Sequence, residues 1–183
     1  GPFIPGADAA GVVDEVGEGS RWQVGDRVAA VVVPFRPAGG AYVDELVVPD
    51  ASVLRLPDDV DFPAGSTFLM NALTARLLLD KLGLSRGQVL AVTGAAGAFG
   101  GYVVQMAKAD GLRVVADAAE KDEELVASLG ADHVVRRGDD VAARIREVVP
   151  DGVDGLVDGS VQADLLVPAV KDGGVIGSVR GWS

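Results

Sequence analysis

The sequence predicts an α/β fold, a parallel sheet with helices on both faces, preceded by part of a β-rich domain. Three observations carry this reading. From about Phe62 onward, short apolar runs alternate with stretches of helical period, the pattern of parallel strands joined by crossover helices. The run Val89–Thr93 breaks into a glycine-rich segment, 94–101, and resumes as an amphipathic stretch. Strand, glycine turn and helix therefore follow in order. Up to about Pro57, by contrast, short strand-like runs are separated by Gly and Pro.

Taken in order, Val28–Val33 is the clearest strand of the N-terminal part. The second part opens with a helix expected near 63–81. Strands are expected at 89–93, 112–116, 133–136, 154–158 and 174–179, short apolar runs suited to a sheet covered on both faces. Helices near 98–110, 121–129 and 139–149, with a shorter one near 162–170, fill the intervals. The expected domains are 1–61, the partial β-rich one, and 62–183, the parallel-sheet one. No internal repeat or low-complexity tract is visible.

Composition narrows the function classes. At 183 residues and 49% hydrophobic content, the chain can bury a sizeable core. With no cysteine, disulfides and thiolate metal sites are excluded, and a cytoplasmic protein is expected. No apolar run reaches the roughly 18 residues that span a bilayer, so no membrane partner is expected. The net charge of −11 argues against nucleic acid, because phosphate binding needs clustered cations. That acidity reads as solubility.

The chemistry is concentrated in Ala95-x-Gly97-x-x-Gly100, a dinucleotide fingerprint of the Rossmann type. Ala95 takes the first turn position, Gly97 lets backbone approach a pyrophosphate, and Gly100 lets the helix pack on the strand. Ala96, Ala98 and Phe99 complete the loop. The pyrophosphate would sit at the helix N-terminus, where free N–H groups and the positive dipole end favour anions. An acid about 20 positions beyond the fingerprint would bind the ribose 2′-hydroxyl of NAD, and Asp117 stands at that spacing. Asp158 and the Gly177-Ser178 pair end the fourth and fifth strands of the sheet, on the carboxyl edge where open α/β sheets bind ligands. Asp158 equally suits a cap for the next helix.

Gly94-Ala95-Ala96-Gly97 with Gln105-Met106-Ala107-Lys108 resembles the cofactor loop of zinc-independent medium-chain dehydrogenases/reductases, the quinone oxidoreductase and enoyl reductase branch. Further blocks match in the same order: Ile4–Val13, Val16–Gly19, Val24–Val28, Gly39–Glu45, Asn71–Ala75 and Leu129–Asp132. The resemblance implies that the β-rich part belongs to a GroES-like catalytic domain. It also implies that the chain opens inside the family pattern and stops before a sixth cofactor-domain strand. A homodimer is implied for the full-length form.

Other expectations follow from that resemblance. Zinc-dependent relatives carry a His-Glu pair where this chain has Ala7-Asp8, and alanine cannot ligate a metal. His133, the only histidine, is expected to be packed or at the surface, and no zinc site is expected. Ala118, not Asp117, falls where NAD-preferring relatives keep their acid. Lys121 and Arg137 lie where relatives place cations around a 2′-phosphate, though a solvated lysine and an exposed strand end are equally good accounts of them. NADP(H) is therefore favoured over NAD(H). Thr74 and Asn71 fall on the helix that crosses behind the nicotinamide; a threonine there could also bond its own i−4 carbonyl. Tyr42 is expected in the core of the β-rich domain. The implied activity is NAD(P)H-dependent hydride transfer to a quinone or an α,β-unsaturated carbonyl, with no catalytic side chain assigned. The alternatives are a non-catalytic dinucleotide-binding protein and a piece of an enoyl reductase module in a larger synthase.

Overall fold

A computed structural model of the chain describes residues 3–180. The backbone divides into two units, Gly1–Asn71 and Ala72–Ser183. In the first, β1 (Asp8–Val12), β2 (Arg27–Val31) and β3 (Val53–Arg55) form an antiparallel sheet in that order. Ala10 lies opposite Ala29, and Ala29 opposite Leu54. Gly25, at φ +95°, turns the chain between β1 and β2 and donates to the Val13 carbonyl at 2.8 Å. The core of this unit is small: Ala29, Leu56 and Leu69, with Ala10, Val31, Val60 and Phe62 against them. The run expected as one strand to Val33 ends at Val31, just before Pro34, which has no N–H to give. Tyr42, expected in the core, is 76% exposed. Its ring lies against Gly6, where a Cβ would come within 2.5 Å of it.

The helix expected over 63–81 is split into α1 (Phe62–Gly65) and α2 (Leu69–Leu82). Asp61 caps α1, accepting from the Ala64 N–H at 2.8 Å. Ser66 Oγ then donates to the Pro63 carbonyl at 2.9 Å, and Thr67 Oγ1 to that of Ala64 at 3.0 Å. Such local side-chain bonds offer backbone carbonyls an alternative to the helical ladder. Helix resumes where Asp8 of β1 accepts from the Met70 N–H at 2.7 Å.

The second unit holds an all-parallel sheet: β4 (Val89–Thr93), β5 (Arg113–Ala118), β6 (His133–Arg136), β7 (Val153–Asp158) and β8 (Val170–Ser178). The strand order is β6-β5-β4-β7-β8. Connections are α3 (Ala98–Ala109), α4 (Glu123–Ser128) and α5 (Val141–Val148), with a 3₁₀ segment over Ala163–Ala169. Pro168 inside that last segment accounts for its not being the α-helix expected near 162–170.

Period-2 alternation divides the strands between two cores. Leu90, Val92, Val114 and Ala116 join Ala75 and Leu79 of α2, Val103, Val104 and Ala107 of α3, and Val126 of α4. Ala91, Val115 and Leu156 join Val141, Ala142 and Ile145 of α5, with Leu166 and Ala169. Helices therefore cover both faces, as the sequence pattern requires. From β4 the chain runs outward through β5 to β6, then returns across the sheet to β7 on the other flank of β4. The strand order reverses at β4, and the β4–β7 boundary is the place where sheets of this kind open a ligand crevice.

Candidate functional site

The carboxyl end of β4 leads into the fingerprint loop. Gly94 adopts φ +70°, and a Cβ there would lie 2.7 Å from the backbone of Gly159, so this position requires glycine twice over. The Gly97 N–H donates to the Gly94 carbonyl at 3.0 Å and closes the turn. Gly97 itself stands at the N-cap of α3 with φ −79° and ψ 163°, a conformation open to any residue. The first i→i−4 bond of α3 runs from Gly101 to Gly97 at 2.8 Å. The N–H groups of Ala98, Phe99 and Gly100 precede it and are left for an acceptor outside the helix. Gly97 and Ala98 are exposed, Ala96 and Phe99 half-buried and Ala95 buried. At Gly100 a Cβ would come within 2.3 Å of the Gly94 carbonyl oxygen, so the helix can approach the strand end only because that side chain is missing.

The two glycines therefore differ. Gly100 is demanded by packing. At Gly97 an added Cβ would meet only the Gly94 oxygen, at 3.2 Å, and the position opens to solvent. The fold asks for glycine there far less than at Gly100, and a ligand that approaches backbone closely gives a further reason for it.

Asp117 was singled out as a ribose-binding acid. β5 runs two residues further than expected, so Asp117 is a strand residue paired in register with Val135. It is only 4% exposed, and its Oδ1 accepts from the Ala95 N–H at 3.2 Å. The Gly94 N–H is bonded to it as well. Its carboxylate is thus turned under the loop. Burial pushes the Asp117 carboxyl up, opposed by the N–H groups of Ala95 and Gly94 and by the charge of Arg137.

Around it, Arg136 is held by Glu120 at 3.0 Å and Glu123 at 3.3 Å. Lys121 and Arg137 are exposed, and among the described residues neither side chain has a hydrogen-bond or ion-pair partner. The Arg137 N–H donates to the Ala118 carbonyl at 2.9 Å, which holds the Arg137 backbone beside the carboxyl end of β5.

Asp158 ends β7 opposite Thr93. It is 1% exposed and gathers the following loop around itself. The N–H groups of Ser160, Val161 and Ala163 donate to it at 3.0, 2.7 and 3.0 Å, and that of Gln162 at 3.3 Å. Thr93 Oγ1 donates to it at 3.2 Å. Burial raises the Asp158 carboxyl, but these donors outweigh burial and hold it below its ordinary 3.8. The side chain is thus committed to the loop that follows β7, ahead of a 3₁₀ segment whose N-cap residue is Gln162. Within the loop, Val161 and Ala163 adopt φ +61° and +48°, strained for residues with a Cβ. No sequence signal marks them. At Gly159, on the same strand end, a Cβ would stand 2.7 Å from the Thr93 carbonyl oxygen.

Of the other candidates, Gly177 lies at the carboxyl end of β8, but its missing Cβ makes room for Leu78 of α2 at 2.6 Å. Thr74 is half-buried one turn earlier on α2. The structure thus brings Ala95–Gly100, Asp117 and Asp158 together around the end of β4. His133 is exposed. Among the described residues, no group of three or more His, Cys, Asp or Glu is placed to hold a metal ion, and no helix is long and apolar enough to cross a membrane.

Sheet order, loop and helix define a protein of the dinucleotide-binding α/β fold that carries a β-rich unit before it. Comparison with known proteins agrees. The alcohol dehydrogenase GroES-like domain family matches residues 1–58, and the family described as zinc-binding dehydrogenase matches residues 98–179. A trans-enoyl reductase of Aspergillus terreus is 34% identical, covering 90% of this chain and 62% of its own length. A quinone oxidoreductase of Sus scrofa is 35% identical over 73% of this chain and 40% of its own length. A mycobacterial protein solved in complex with NADPH superposes with a TM-score of 0.78 at 27% identity, covering 97% of this chain and 60% of that one. This chain belongs to the medium-chain dehydrogenase/reductase superfamily. It spans between 40% and 62% of the length of these two curated relatives.

Proposed function

We propose that this chain binds NADP(H) and serves a zinc-independent reduction of a quinone or an α,β-unsaturated carbonyl compound. The observation that carries the reading is Gly97, exposed at the N-cap of α3 beside the β4–β7 switch point, where packing demands glycine far less than at Gly100. The N–H groups of Ala98, Phe99 and Gly100 would hold the pyrophosphate, and the dipole of α3 would favour its charge. When bound, the nicotinamide supplies the hydride. The chain's own part is to orient the cofactor and exclude water around it. Likeness to a trans-enoyl reductase and a quinone oxidoreductase supports the substrate class. The test is to mix the purified protein with NADPH and a quinone or enone and follow the absorbance of the reduced nicotinamide. Cofactor binding without its oxidation would favour the non-catalytic reading.

NADPH is expected to bind more tightly than NADH. Arg137 and Lys121 are the unpaired cations near the end of β5, whereas Arg136 is committed to Glu120 and Glu123. Charge-assisted bonds to a 2′-phosphate, discounted for exposure, correspond to at least about a tenfold preference. The double change of Lys121 and Arg137 to Ala should narrow it, and raised salt should do the same. Dissociation constants for both cofactors on both proteins decide this, and a wild-type preference for NADH removes the cation assignment.

The activity is also expected to need no zinc. Ala7 replaces a ligand-bearing position of the zinc-dependent relatives, and the sequence has no cysteine. Elemental analysis should find less than stoichiometric zinc, and a chelator should leave turnover unchanged. Stoichiometric zinc would overturn the assignment.

A further inference from the structure

Asp117 is a buried charge at the centre of the second unit, and cofactor binding at the helix N-terminus does not require it. An acid that reads ribose hydroxyls must present free oxygens to the crevice. Asp117 is 4% exposed and lies in an interior strand, between β4 and β6. Its Oδ1 takes the Ala95 N–H at 3.2 Å, and the Gly94 N–H is bonded to the same carboxylate. We infer that Asp117 is a positioning residue, whose carboxylate fixes the entry of the glycine loop from beneath and does not touch the ribose of a bound dinucleotide. This rests on the dinucleotide reading proposed above.

The physical need is clear from what surrounds the two amides. Ala95 is fully buried, and Gly94 is pressed against Gly159 with no space for a Cβ. The Ala95 N–H cannot turn to water, and a buried donor without a partner is costly. Strand geometry provides no acceptor here, because the chain has left the β4 ladder at Thr93. A carboxylate from the neighbouring strand supplies one. It takes the Ala95 and Gly94 amides from beneath and fixes their planes. Those planes set the course of the chain through Ala96 to Gly97, and hence the aim of the first turn of α3.

The two roles separate in one measurement. A positioning residue acts on the part common to NADH and NADPH; a ribose ligand acts on the part that differs between them. Dissociation constants for both cofactors are measured by fluorescence titration on wild type, Asp117→Asn and Asp117→Ala. Asn keeps an acceptor and should stay within about threefold of wild type, while Ala should weaken NADH and NADPH by the same factor, on the order of tenfold. A loss confined to NADH, or unchanged affinity for both cofactors in Asp117→Ala, overturns the inference. Wild type that binds neither cofactor overturns the dinucleotide reading instead. In that case, or if Asp117→Ala does not fold, amide exchange at Gly94 and Ala95 in wild type and Asp117→Asn gives the answer. Slow exchange in wild type that is kept in Asp117→Asn supports the inference, and fast exchange in either protein overturns it.

Discussion

Gly97→Val is expected to abolish dinucleotide binding and leave the fold standing. The backbone at Gly97, φ −79° and ψ 163°, suits valine as well as glycine. An added Cβ meets the Gly94 oxygen at 3.2 Å, a tight contact that needs the loop to give by a few tenths of an ångström, far less than the 2.3 Å contact at Gly100 demands. Yet a β-branched side chain at the N-cap stands beside the N–H groups of Ala98 and Phe99, in the space an anion must enter. Affinity for reduced cofactor should fall by at least about a hundredfold, equivalent to about 2.7 kcal/mol. The melting temperature should move by no more than a few degrees.

Gly100→Ala serves as the foil. Its Cβ would lie 2.3 Å from the Gly94 oxygen and 2.8 Å from the Ala95 Cα, both backbone atoms that cannot swing aside. Loss of stability is expected there before any specific loss of affinity. Fluorescence titration and thermal melting on both variants give the comparison. Wild-type affinity in Gly97→Val removes the basis for placing the cofactor at this loop.

The contrast between these two glycines also shows what a sequence can reveal. The strand at 89–93 and the helix from 98 were legible because periodicity and the glycine cluster are local signals, and both elements appear within a residue of expectation. The split between α1 and α2 was not legible, because the carboxylate that receives the Met70 N–H is Asp8, 62 residues away. Asp117 stands out by counting along the chain, but its burial and its bond to the Ala95 N–H are not legible there, because β5 continues to Ala118 and carries the side chain under the loop. Tyr42 was misjudged for a related reason: an aromatic in a strand-like run is usually packed, but this segment forms no strand and leaves the ring exposed. Local pattern fixes elements, and pairing across the sheet assigns polar side chains their partners.

Asp158→Ala should destabilise the second unit as much as a core truncation would. The substitution removes the acceptor of four backbone N–H groups, from Ser160 to Ala163, and of the Thr93 hydroxyl. Those bonds hold Val161 and Ala163 at positive φ, where each such residue costs on the order of 1–3 kcal/mol. The loop would relax and recover water for some of its donors, so the expected net loss is about 3 kcal/mol. Asp158→Asn should fall between, because its carboxamide can accept at one atom only.

A pH series gives the sharper check. The Asp158 carboxyl lies below its ordinary 3.8 in the folded chain, so its stabilisation is fully present above that value and is lost as the pH falls through the folded value. Asp117 has the opposite sign. Its carboxyl is raised by burial, and stability therefore declines as the pH rises from 3.8 to its folded value. Urea unfolding between about pH 2 and pH 7 should show wild type losing stability at the acid end. Asp158→Ala should start lower at neutral pH and lose less on acidification, because the group that must be protonated is gone. An Asp158→Ala variant as stable as wild type at pH 7, with the same acid limb, would show that the loop stands without its carboxylate.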